Sequence, residues 1–112
     1  MHGFEVRHLD LSDGQIACWF DPVAKGKPRL LMGHGNGLSA LTQVGLMQAL
    51  AKDFDVQALD FRGHGASRLP TPAHPDNPWA HYVGDLRQVI ERHFEGQLAY
   101  ACLLYTSDAA DD

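Results

Sequence analysis

The residues of this 112-residue chain that could do chemistry gather in two glycine-rich stretches. The first, LLMGHGNGLSA, sets Gly33, His34, Gly35, Asn36 and Gly37 directly after an apolar run. The second, DFRGHGAS, holds Asp60, Arg62, Gly63, His64, Gly65 and Ser67. Such loops serve one of two chemistries. Backbone N–H groups can cradle a phosphate, or one N–H can meet an oxyanion developing on a substrate carbonyl. Glycine suits both, because a backbone without Cβ comes close to a ligand and turns sharply.

The phosphate reading needs G-x-G-x-x-G after a strand. Here the third glycine, Gly37, arrives one residue early and Leu38 holds the required place. Asp60 could meet a ribose and Arg62 a 2′-phosphate, which keeps a dinucleotide-binding (Rossmann) domain as an alternative. A P-loop fails, since no Gly-Lys-Ser/Thr follows. His34 and His64 end two strands that could be neighbours. Zinc wants three or four ligands, and no H-x-x-x-H or cysteine pair supplies the rest. The expectation is therefore no metal and no cofactor, with both histidines in turn or packing roles.

The elements that must position these loops are legible from patterning. FEVRHLDL and QIACWF alternate polar and apolar residues around Asp13-Gly14, a hairpin signal. RLLM is a short apolar strand. Ser39 can cap a helix in which Ala40, Val44, Met47 and Ala51 recur at helical spacing, with Leu50 beside them. DVQALDF is the next strand, and a proline-rich loop, LPTPAHPDNP, follows the second glycine turn. Trp79, Val83, Leu86, Ile90 and Phe94 then mark one face of an amphipathic helix, read as core packing. QLAYA begins a further strand. The order hairpin, strand, helix, strand, helix, strand predicts an α/β fold with a parallel sheet. In such sheets chemistry sits at the carboxyl ends of the strands, where both glycine turns fall.

This combination resembles the α/β-hydrolase family over about residues 4 to 101. That family carries an HG-x loop after its third strand and a D-x-R-G-x-G-x-S turn after its fourth. The resemblance implies that Asn36 offers its backbone N–H to the oxyanion, in a loop shaped by His34, Gly35 and Gly37. It implies structural turn roles for Asp60, Arg62, Gly63, His64, Gly65 and Ser67. It also implies a serine nucleophile on G-x-S-x-G after the fifth strand, with an acid and a histidine later still. No G-x-S-x-G occurs in this sequence. Asp60, Asp85 and the seven histidines are accordingly not assigned to a triad, and Cys18 has no base near it in sequence. The expected fold is the N-terminal half of an α/β-hydrolase sheet, cut before the nucleophile. The expected parent hydrolyses an ester or similar acyl bond of a small molecule, and the chain itself is expected to be inactive. A non-catalytic binding protein on the same fold is the other alternative. An aspartate in the serine's place would instead mean a dehalogenase or epoxide hydrolase.

The last eleven residues, CLLYTSDAADD, match residue for residue the translation of a transposase adapter used in shotgun sequencing. We read residues 1–101 as hydrolase core and 102–112 as a non-native tail. Three of the chain's acids, Asp108, Asp111 and Asp112, fall in this tail. Composition sets the remaining bounds. Hydrophobic residues make up 45% and charged residues 21%, as in globular domains, and the length allows one domain at most. A net charge of −5 without a basic block argues against nucleic acid as a partner. No apolar run is long enough to span a bilayer. Two cysteines, Cys18 and Cys102, make no disulfide framework, so a reducing cytoplasm is expected. A half sheet exposes an edge strand and apolar helix faces. Residues 1–112 alone are expected to aggregate or to form a loose compact state.

Overall fold

A computed structural model describes residues 2–35, 38–70 and 78–103. The expected hairpin forms from β1 (Glu5–Leu11) and β2 (Gly14–Phe20), antiparallel, with Leu11 opposite Gly14. β3 (Arg29–Gly33) leads through a 3₁₀ turn (Ala40–Gln43) into α1 (Val44–Leu50). β4 (Asp55–Asp60) precedes α2 (Pro78–Val89), which continues as a π turn (Ile90–Phe94) before β5 (Tyr100–Leu103). The sheet order is β1-β2-β4-β3-β5. β3 pairs in parallel with β4 on one side and β5 on the other, while β2 meets β4 antiparallel. This is a mixed α/β sheet, parallel where crossover helices join the strands and antiparallel at the hairpin. The proposed division after Ala101 falls inside β5.

Each face of the sheet carries one core. Leu30 and Met32 of β3 and Val56 and Ala58 of β4 pack with Met47 of α1. Leu31 and Leu59 point the other way and pack with Tyr82, Val89 and Phe94. β3 is apolar at consecutive positions because it is covered on both faces.

Three local readings change. The helix expected from Ala40 begins as a 3₁₀ turn, with Ser39 as N-cap. The Ala40 N–H, which has no partner within a helix at this first position, donates 2.7 Å to the Asp60 carboxylate. Gly14 opens β2 and its φ is not positive. It is glycine for want of space: a Cβ there would stand 2.4 Å from the Arg68 carbonyl oxygen, which accepts from the Gln15 N–H at 3.0 Å.

The third change concerns α2. Its buried face is Tyr82, Asp85, Val89 and Phe94, whereas Val83 is 58% exposed and Leu86 and Ile90 are only partly buried. The stripe read from the sequence is rotated from the true face. The π turn explains the error, because it inserts a residue, so that Val89 and Phe94, five apart, share one face. The side chain of Trp79 and residues 71–77 and 104–112 lie outside the described part of the chain.

Candidate functional site

The carboxyl ends of β3 and β4 are neighbours, and both glycine turns leave the sheet there. His34 follows β3 directly and is fully buried. Its Nε2 accepts from the Phe61 N–H at 2.8 Å. An amide only donates, so the proton sits on Nδ1, which donates 2.8 Å to the Gly35 carbonyl oxygen. Burial, opposed by the bond to Gly35, holds the imidazole below its ordinary pKa. His34 is thus a neutral staple between the first loop and the end of β4. With both nitrogens engaged it offers no lone pair to a metal or a proton in transit. The His64 ring lies 5.0 Å from it, and His64 Nδ1 donates to the Arg62 carbonyl oxygen. Among the described residues no cluster of three metal-ligating side chains occurs.

Asp60 ends β4 and is 1% exposed. Its Oδ1 accepts from Ala40 N–H at 2.7 Å. Its Oδ2 accepts from Trp19 Nε1–H at 2.9 Å and Ala66 N–H at 3.0 Å. One carboxylate therefore ties β2, the start of the 3₁₀ turn and the second glycine turn together, and three donors compensate its burial. Gly65 is needed on two counts. Its φ is +51°, and an added Cβ would stand 2.3 Å from Asp60 Oδ2. The Ser67 hydroxyl donates to the Asp60 carbonyl oxygen and accepts from the Ala17 N–H at 2.8 Å.

Sequence reasoning expects Asp60 and Arg62 to fix the second turn through backbone hydrogen bonds and an ion pair; the structure gives Arg62 its ion pairs with Asp13 and Asp85, both outside that turn. Arg62 Nε and Nη2 donate to the two oxygens of Asp85 at 3.1 and 2.7 Å. Nη1 donates to Asp13 Oδ2 at 2.9 Å and to the Pro70 carbonyl oxygen at 2.8 Å, and Nη2 reaches Asp13 Oδ1 at 3.3 Å. All five guanidinium N–H donors are thereby used. The bond from Arg62 holds Asp13 below the usual carboxylate range, against a smaller opposing effect of burial. The hydrogen bonds to Asp85 raise Arg62 still higher. Asp85 had a signal of its own. It lies three residues after Tyr82 and four before Val89, on the buried face, where an acid demands a cation.

Asn36 and Gly37, the expected oxyanion donor and its flanking glycine, lie outside the described residues. The structure places Gly35 buried at the end of the described loop, and the Leu38 N–H donates 3.1 Å back to its carbonyl oxygen. Cys18 is buried in the hairpin, and burial pushes its thiol up to about 11. It donates to Gln57 Oε1 at 3.4 Å and has no part at this end of the sheet.

No protein-family model and no curated protein matches the sequence. Solved structures do match. Haloalkane dehalogenase DbeA from Bradyrhizobium elkani aligns with a TM-score of 0.68 at 23% identity, over 92% of this chain and 33% of that one. The thioesterase domain from the curacin biosynthetic pathway gives 0.71 at 21%, over 87% and 34%. A hydrolase from Pseudomonas aeruginosa PA01 gives 0.68 at 25%, over 86% and 35%. The architecture is that of the N-terminal part of an α/β-hydrolase fold. The chain spans about a third of the length of the structures it matches.

Proposed function

We propose that this chain is the N-terminal part of a hydrolase that cleaves an ester or similar acyl bond in a small molecule through a serine acyl-enzyme. The observation that carries the reading is the pairing of β5 with β3, parallel, with Leu30 opposite Tyr100 and Leu31 opposite Ala101. A chain continuing past β5 would emerge beside the His34 loop. That is where a nucleophile must stand for a backbone N–H in the loop to reach its oxyanion. Asn36 N–H is the proposed donor, in a loop formed with Gly35 and Gly37 and held by neutral His34. Such a donor contributes about 3 kcal/mol to transition-state stabilisation. Asp60, Arg62, Gly63, His64, Gly65 and Ser67 act by fixing the second turn. No cofactor is required by this chemistry.

Without a nucleophile the chain is expected to leave p-nitrophenyl acetate unhydrolysed above the buffer rate. The decisive test is to amplify the source DNA across the Ala101 codon and read on. Continuation into G-x-S-x-G supports both the acyl hydrolase and the adapter-derived tail from Cys102. An aspartate at the serine's place turns the reading to a dehalogenase or epoxide hydrolase, and a residue with no nucleophilic group turns it to a binding protein. A genome that itself encodes CLLYTSDAADD and then stops overturns both halves of the proposal.

A further inference from the structure

A second polar group spans the sheet on the face that Phe94 covers. Arg29 and Asp55 open β3 and β4, at the strand ends opposite the two glycine turns, and pair through Arg29 Nε and Asp55 Oδ2 at 3.0 Å. Gln57, 3% exposed, donates from Nε2 to Asp55 Oδ1 at 2.9 Å. Its Oε1 accepts from Nη2 of Arg7, on β1, at 2.8 Å. A buried amide and a buried carboxylate therefore tie the two arginines together. Both also lie over one ring. Their guanidinium carbons stand 5.8 Å (Arg7) and 5.5 Å (Arg29) from the centre of Phe94, which the π turn brings onto this face. Phe20 flanks Arg7 as well, at 5.1 Å. Both positive charges reach the buried Cys18 thiol, where they oppose the larger effect of burial.

The hydrogen-bond count of this group does not close. Arg62 uses all five of its donors within the fold, but Arg7 uses one, and it enters no ion pair among the described residues. Arg29 uses Nε on Asp55 and Nη1 on Gln97 Oε1 at 2.7 Å, and its Nη2 has no acceptor among the described residues. Asp55 is the one acid joined to the group, so two cations and one carboxylate leave one positive charge uncompensated. Surplus donors and surplus positive charge on a fixed base suit an oxyanion. Arg7 has given up one Nη2 proton, so one forked edge stays whole for two parallel bonds. Arg7 is exposed, which gives a ligand access, and its contacts with Gln57, Phe20 and Phe94 already restrict it, so little side-chain freedom is lost on binding.

We propose that Arg7 and Arg29 form a binding site for the carboxylate or phosphate group of a small molecule. Arg7 supplies the forked donor and Arg29 supplies Nη2. Gln57 and Asp55 position the two arginines from beneath. The site uses none of the residues assigned to acyl transfer.

Calorimetric titration of the 112-residue chain with inorganic phosphate and with acetate, each against chloride at equal ionic strength, tests it. Saturable binding of an oxyanion, and none of chloride, is expected. Tighter binding of phosphate identifies a phosphate ester as the ligand class, and tighter binding of acetate a carboxylate. Arg7→Gln should weaken binding about tenfold or more, and Arg29→Lys, which keeps a cation beside Asp55, by less. Urea unfolding without added anion checks that each variant folds. Should Arg7→Gln not fold, Arg7→Lys keeps the charge and loses the fork, and should weaken binding severalfold. No saturable binding overturns the proposal. So does a response to chloride equal to that of the oxyanions, or binding that a folded Arg7 variant leaves unchanged.

Discussion

The two flanks of this sheet are built on opposite rules. At the β2–β4 flank, polar groups are buried and every one discussed has a partner: Arg62 uses all five donors, Asp60 accepts three N–H groups, and His34 engages both ring nitrogens. At the β5 flank, apolar groups are exposed and lack cover: Val83 is 58% and Tyr100 57% exposed. A satisfied polar network defines one geometry, because breaking any bond leaves a buried group unpaired. An apolar strip with an open strand edge defines a surface to be covered. Precision thus sits where the glycine loops leave the sheet, and exposed apolar surface at the last described strand and the outer face of α2.

Breaking the network should cost most. Arg62→Ala leaves Asp85, 2% exposed, as an unpaired buried charge, and a loss of about 3–5 kcal/mol is expected in urea unfolding. The comparison sharpens with R62M/D85L, which removes both charges and should recover most of that loss. Gly65→Ala comes next. The positive φ alone costs about 1–3 kcal/mol, and the Cβ would also displace the Asp60 carboxylate, so the urea midpoint should fall clearly.

A pH series probes the same flank more gently. Burial depresses His34 in the folded state, so the unfolded chain binds its proton more readily. Its contribution is complete above about pH 6.5 and shrinks as pH falls below that, toward the lower folded pKa. Unfolding midpoints measured between neutral pH and pH 5 should drop, and the drop should be smaller in His34→Gln. Asp13 is depressed as a carboxylate, so its contribution is lost only below its ordinary value of 3.8, outside that window. The smallest effect belongs to the open flank. Val83→Glu should change stability by no more than about 0.5 kcal/mol, because the side chain is already exposed. Val89→Ala, one turn and a half further on and fully buried, should cost several times more.

Much of this molecule was legible in its residues. The hairpin, the order of strands and helices and the two glycine turns follow from periodicity and turn residues, which act over a few positions. Expectations failed where an interaction reached across the chain or a helix left its regular period. Gly14 reads as a turn residue, yet it is glycine because Arg68 lies against it. Val83 reads as core because its spacing fits an α-helix, but the π turn at Ile90–Phe94 shifts the face that packs.

The sequence by itself determined which segments become strands and helices, and that both glycine turns would fall at the carboxyl ends of strands. Those outcomes depend on local φ/ψ preference and on the apolar period. Only the tertiary structure decided the strand order β1-β2-β4-β3-β5 and the partners of Arg62. Asp13 lies 49 residues from Arg62 and Asp85 lies 23 away, and the three meet only once the hairpin, β4 and α2 have packed. A buried charge selects its counterion by position in space, and linear spacing carries no record of that choice.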